Sequence, residues 1–228
     1  MPHTVVDSPK TLALIHTVAG LIPIFDDLVA CEFPGWVSFN MLDESLLRTT
    51  IRDGQLSLLT TRRLTGMVWS AVDAGATAIV VTCSSLGSAV DAIRPLCPIP
   101  LFRIDEGMAN AAVNAGPRIG VLATLRTTLE PTSALIKGAA KRNGKEDSQL
   151  IPMLSEGAFE KLQAGDVAGH DAIVGQSLLD LCRKVDVIVL AQASMARALA
   201  SVRNDLGETP VLTSPELGMA HLRACLSA

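Results

Sequence analysis

The sequence has no tyrosine, and only 3% of its 228 residues are aromatic. Stacking platforms for nucleic-acid bases are therefore excluded. Positive charge is not in surplus either: 19 Lys and Arg stand against 23 Asp and Glu, for a net charge of −4. Nucleic-acid binding needs a basic footprint that this balance does not supply. No apolar run reaches the roughly 18 residues that span a bilayer. The longest stretch, Thr11 to Leu28, contains His16 and runs into Asp26 and Asp27. Met1 to Lys10 has neither the basic segment nor the apolar segment of a signal peptide.

Other signatures are missing as well. The five cysteines (31, 83, 97, 182 and 225) are odd in number and have no CxxC spacing. That fits a reduced cytoplasm better than a disulfide framework. There is no GxGxxG, Walker A, HExxH or GxSxG motif. No cluster of His, Cys and carboxylates has metal-ligand spacing. We expect a cytoplasmic protein that acts on a small molecule without nucleic acid, membrane, metal or cofactor.

What is present is apolar: 49% of the residues are hydrophobic and 18% charged. Such a surplus suits a parallel sheet whose strands are buried on both faces. Strands are expected at Leu12–His16, Trp36–Met41, Ala78–Thr82 and Pro100–Ile104, then at Ile119–Ala123, Gln149–Met153, Val187–Ala191 and Pro210–Thr213. Helical patterns lie between them at Leu56–Ala74, Glu106–Asn114, Thr128–Asn143 and Asp171–Lys184. This alternation implies right-handed βαβ units and doubly wound α/β sheets.

The chain also repeats itself. AIVVTCSSLG (78–87) lines up with VIVLAQASMA (187–196), and ALIHT (13–17) with GVLAT (120–124). PLFRIDEGMA (100–109) matches PVLTSPELGMA (210–220) with one inserted residue. The expectation is two similar α/β lobes related by a pseudo-twofold axis. The first would comprise residues 8–110 plus 216–228, the second residues 117–214. Ligands of open parallel sheets sit beyond the carboxyl ends of the strands, so the site belongs in the cleft between the lobes.

Cys83 follows a strand and precedes a helix, where unpaired backbone N–H groups lower a thiol pKa and attract carboxylates. Ser84 and Ser85 add hydroxyls. Thr17 and Thr124 occupy equivalent positions in the two repeats, and Thr128 lies one turn beyond Thr124. Hydroxyls at such turns suit a substrate carboxylate. His16 ends the first strand, within reach of a proton-transfer role. Asp43, Glu44, Ser155 and Glu156 read as helix caps, and His170–Asp171 as the start of a helix. Arg126 reads as solvated, Cys31, Cys97, Cys182 and Cys225 as structural, and His3 and His221 lack context.

TCSS after the third strand, GVLAT, SEGAFEKLQAGDVAGHDAI (155–173) and VIVLAQASMA together resemble the aspartate/glutamate/hydantoin racemase superfamily. The resemblance covers nearly the whole chain. It implies two similar lobes, no cofactor, homo-oligomers, and a C-terminal helix that returns to the first lobe. Members include amino-acid and hydantoin racemases, maleate isomerase and arylmalonate decarboxylase. Racemases of this kind use two cysteines, one per lobe, on opposite faces of the α-carbon. Here Cys83 matches the first, but Gln192 stands where the second would be. A carboxamide does not titrate near neutrality and cannot take that role.

The resemblance therefore implies an isomerase acting on a small carboxylic acid through one thiol. Cys83 and His16 are the catalytic candidates, and Thr17, Ser84, Ser85, Thr124, Thr128, Gln192 and Ser194 the substrate contacts. A cofactor-free decarboxylase or lyase is the second reading, and a metabolite-binding protein without turnover the third.

Overall fold

Two four-stranded parallel sheets with the same strand order organise the chain. The structure is a computed structural model that describes residues 10–227, so the readings of Met1 to Pro9, including His3, and of Ala228 lie outside the described residues. The first sheet contains β1 (Thr11–His16), β2 (Val37–Leu42), β3 (Ala78–Val81) and β4 (Leu101–Arg103), in the order β2-β1-β3-β4. The second contains β5 (Arg118–Ala123), β6 (Gln149–Leu154), β7 (Val187–Leu190) and β8 (Val211–Leu212), in the order β6-β5-β7-β8. Every expected strand is present, with ends shifted by no more than one residue.

Burial explains the pattern. β1 and β5 each have neighbours on both sides, and Leu12, Ala13, Leu14, Ile15, Val121 and Leu122 are fully buried. These central strands need apolar side chains on both faces. β2 and β6 are edges and remain partly exposed, which is where a strand tolerates Pro152.

The helices are α1 (Ile22–Glu32), α2 (Glu44–Asp53), α3 (Leu58–Asp73), α4 (Gly87–Ile93) and α5 (Glu106–Ala115) in the first half. The second half has α6 (Arg126–Arg142), α7 (Ala158–Gln163), α8 (Val167–Cys182), α9 (Leu199–Val202) and α10 (Ser214–Ser227). Asp43 caps α2 by accepting from the Ser45 N–H at 3.0 Å, as expected of it. Ser155 caps nothing, because its hydroxyl bonds Ser177 Oγ at 2.9 Å and Gly157 precedes α7. His170 and Asp171 lie inside α8, whose true cap is Asp166, accepting from the Gly169 N–H at 2.8 Å.

Two helices change partners. α5 follows β4 yet packs Met108, Ala109, Ala112 and Val113 against Ile119, Val121, Val187 and Val189 of the second sheet. α10 follows β8 and returns, with Met219 and Leu222 packed against Leu12, Leu14, Val80 and Phe25. α5 and α10 meet closely where Gly107 faces the Leu217 carbonyl and Gly218 the Ile104 carbonyl. A Cβ on either glycine would lie 2.0 Å from that oxygen. The repeated EGMA and LGMA segments thus keep glycine because two backbones touch there.

Candidate active site

In each sheet the chain runs outward from the central strand, then crosses back to the other side. The gap between β1 and β3, and that between β5 and β7, are therefore the topological switch points where open α/β sheets bind ligands. β1 pairs with β3 so that Ile15 lies opposite Val81. Two residues on, this register sets Thr17 beside Cys83. β5 pairs with β7 so that Leu122 lies opposite Leu190, which sets Thr124 beside Gln192. The two lobes thereby present the same arrangement, with sulfur in one and a carboxamide in the other.

A cavity of about 310 Å³ lies between them, at the small end of the ~300–1,000 Å³ typical of small-molecule sites. Thr17, Thr82, Cys83, Ser84 and Ser85 line it from the first lobe, and Thr128, Gln192 and Ser194 from the second. Val18, Leu21, Phe25, Leu47, Leu125, Phe159, Leu162 and Pro215 supply an apolar wall. Among the described residues that line it, none is charged. A larger cavity of about 510 Å³, bordered by Asp91, Arg94, Glu106 and Arg142, contains none of the expected site residues.

Cys83 is partly buried, and burial, the largest influence, raises its pKa. The Thr17 hydroxyl and the N–H groups of Ser85 and Leu86 hydrogen-bond its sulfur and oppose that shift, while the negative charge of Asp105 adds to it. The expectation of a lowered pKa is thus corrected: a helix turn donates to the sulfur, but desolvation outweighs it. Asp105 is itself fully buried and engages Arg103, with Nε and one terminal nitrogen of the guanidinium both at 3.0 Å. Arg103 also reaches Asp91 at 2.6 Å. The buried Arg103–Asp105 pair lies beneath the Cys83 turn, where the guanidinium leaves room for nothing larger than Gly87.

Gln192 is oriented by Thr124. Its Oε1 accepts from the Thr124 N–H at 2.7 Å and from the Thr124 hydroxyl at 3.0 Å. With the carbonyl occupied twice, the amide N–H₂ is the end left for a ligand. Thr124 is nearly buried and does not line the cavity. Its expected role as a substrate contact is corrected to one of holding Gln192, because both of its donors are spent. Ser85 and Thr128 share a hydrogen bond at 2.8 Å across the two halves. Two hydroxyls joined this way use one proton between them and leave the other to donate.

His16 is also corrected. Its ring is fully buried and does not line the cavity. Nε2 lies 2.9 Å from Asn40 Oδ1, and Nδ1 lies 2.9 Å from the Thr82 hydroxyl. Asn40 in turn donates to Asp26 at 2.8 Å, so its oxygen must accept from His16 Nε2–H. Burial lowers the His16 pKa and outweighs the Asn40 bond and the Asp26 charge. Nδ1 faces the Thr82 hydroxyl, whose proton is shared between this nitrogen and the Ile15 carbonyl at 3.2 Å, so neither ring nitrogen is left for substrate. The sequence reading missed the apolar wall. Phe159 and Leu162 lie inside the quoted SEGAFEKL segment, and their spacing there resembles any amphipathic helix.

Glu156, Arg126, Cys31 and Cys225 are exposed away from this cavity. Among the described residues no group of His, Cys, Asp and Glu could hold a metal ion, and no helix is long and apolar enough to cross a membrane.

Comparison with known proteins agrees with this fold. Glutamate racemase from Bacillus anthracis has the same fold, with a TM-score of 0.72 at 17% identity over 96% of this chain and 82% of that one. The aspartate racemase homologue from Pyrococcus horikoshii gives 0.68 at 13% identity over 96% of this chain and 100% of the other. Allantoin racemase from Klebsiella pneumoniae gives 0.66 at 13% identity, covering 96% and 88%. No curated protein matches the sequence. The family model for Asp/Glu/Hydantoin racemase matches residues 33–222, a span that holds both Cys83 and Gln192, and the chain belongs to that family.

Proposed function

We propose that this protein is a cofactor-independent isomerase that moves a proton at the α-carbon of a small carboxylic acid, with Cys83 as its proton-transfer group. The observation that carries the reading is the pairing across the cleft. A thiol held by Thr17 faces, by the repeat, an amide held by Thr124. The thiolate would take the α-proton from one face, and charge would pass to the carboxylate oxygens. Gln192 N–H, Ser194 and the Ser85–Thr128 pair are donors suited to that oxyanion. Ser84 borders the same space and would fix the carboxylate, while the Thr17 hydroxyl is given to the sulfur.

Proton NMR in D₂O tests this, with small carboxylic acids offered to the protein and to Cys83→Ala. The expected result is washout of an α-proton, slowed about 10²–10⁴-fold in the variant. Equal exchange by both proteins would overturn the assignment of Cys83.

One observation favours a second reading, a decarboxylase or lyase. Burial keeps the resting thiol protonated, which is the state that quenches a carbanion formed by loss of CO₂. Release of CO₂ from a malonate, with one deuterium incorporated, would favour it. A reducing compartment suits either reading, because the five cysteines are free.

A further inference from the structure

We propose that the substrate carries one anionic group, the carboxylate on the reacting carbon, together with an uncharged apolar arm, and that α-amino acids and dicarboxylates are poor ligands. The inference rests on the cleft at Cys83 being the reaction site.

The cavity lining contains no charged side chain among the described residues. A substrate ammonium or a second carboxylate would lose its water there without meeting an opposite charge, which is costly. Three acids on the flanking elements are already engaged. Asp105 holds Arg103 at 3.0 Å, Asp26 accepts from Asn40 at 2.8 Å, and Asp43 takes Arg63 at 2.6 Å. The wall formed by Leu21, Phe25, Leu47, Phe159 and Leu162 instead offers apolar surface to a side arm.

The polar floor points to a carboxylate rather than a neutral cyclic amide. Gln192 presents N–H because Thr124 occupies its oxygen, and the Ser85–Thr128 pair has one hydroxyl proton to spare. A ring amide would bring N–H groups of its own, and Gln192 Oε1, an acceptor suited to them, is already bonded twice. An anion with several acceptor lone pairs and no donors meets these groups without loss.

Four probes sharing one isobutyl arm separate the possibilities: 2,4-dimethylpentanoate, leucine, 2-isobutylsuccinate and 5-isobutylhydantoin. Methyl replaces ammonium between the first two at nearly constant shape. Dissociation constants would be measured by calorimetry on Cys83→Ser, and α-proton exchange by NMR on the unmodified protein. The expected result is that 2,4-dimethylpentanoate binds at least ~100-fold more tightly than leucine or 2-isobutylsuccinate. Leucine or the succinate binding as tightly would overturn the proposal, and so would preference for the hydantoin or failure of all four to bind at millimolar concentration. In Leu162→Arg a cation would face the isobutyl arm, and affinity for 2,4-dimethylpentanoate should fall at least ~10-fold. No fall would count against the placement of the arm.

The two readings fail differently. Selective binding of 2,4-dimethylpentanoate with no exchange would sink the isomerase and leave the substrate class standing. Exchange of leucine that needs Cys83 would do the reverse.

Discussion

Removing the Thr17 hydroxyl tests how the thiol is held in its protonation state. Sequence register places Thr17 opposite Cys83, and its hydroxyl is one of three donors on the sulfur, with the N–H groups of Ser85 and Leu86. All three favour the thiolate against a burial that disfavours it. Thr17→Val keeps the shape of a nearly buried side chain, so no cavity opens. A hydrogen bond to a charged group contributes about 1.5–3 kcal/mol, which corresponds to roughly a 10–100-fold smaller thiolate population at fixed pH. A more basic thiolate is intrinsically more nucleophilic, and that recovers close to half of the effect on a logarithmic scale. Alkylation of Cys83 by iodoacetamide at pH 8 should therefore slow by about 3–10-fold, with the inflection moved to higher pH. Peptide mass spectrometry would follow Cys83 separately, since Cys31 and Cys225 are exposed and react on their own. An unchanged profile would mean that Thr17 does not support the thiolate and that burial alone sets its state.

Gln192→Cys would place a second thiol where Thr124 can hold it, and the ratio of inversion to isotope exchange should rise towards one. Chiral chromatography beside NMR exchange reads this, and an unchanged ratio would refute the equivalence of the two positions. Arg103→Met would leave Asp105 buried without its cation at a cost of about 3–5 kcal/mol. The melting temperature should fall by roughly 6–20 °C, and a fall of under 2 °C would refute that cost. The His16 pKa is lowered by burial, so the unfolded chain binds the extra proton first as pH falls below 6.5. Stability should therefore decline with acidification from pH 6.5 down to the folded pKa. Urea midpoints compared with those of His16→Gln, which should lack that component, would reveal it.

Much of the fold is legible because each half carries short apolar strands, too short for buried helices and bounded by turn residues. Ala78–Val81 and Val187–Leu190 are fully buried over their whole length, and their runs are continuous in the sequence. The site was legible at Cys83 and Gln192 because the internal repeat sets them in register. Two errors have a common cause. His16 and Thr124 sit at strand ends, as ligand contacts do, but whether such a side chain faces the cleft or a neighbour depends on partners far away in sequence. For His16 these are Asn40 and Thr82, and for Thr124 the partner is Gln192. The thiol pKa failed for a similar reason: the local turn is visible in TCSSLG, whereas the burial that outweighs it comes from the first-lobe core, which gathers residues as distant in sequence as Ala13 and Leu101 around Cys83.

The pseudo-twofold arrangement keeps its scaffold while its chemistry has become one-sided. Identical registers carry a threonine beside Cys83 and another beside Gln192, and each threonine hydroxyl donates to the group opposite. A hydroxyl that stabilises a thiolate serves equally well to lock a carboxamide, so substituting glutamine for sulfur costs the second lobe no unsatisfied donor. What changes is which atom meets the ligand. Sulfur can give or take a proton, whereas the amide N–H can only donate a hydrogen bond to charge that develops nearby. In the proposed reaction, proton transfer would be confined to the first-lobe face of the α-carbon, and the second lobe would supply stabilisation of the intermediate. An isomerase built this way would rely on water to serve the other face of the α-carbon, and about 310 Å³ has room for a small acid with ordered water beside it.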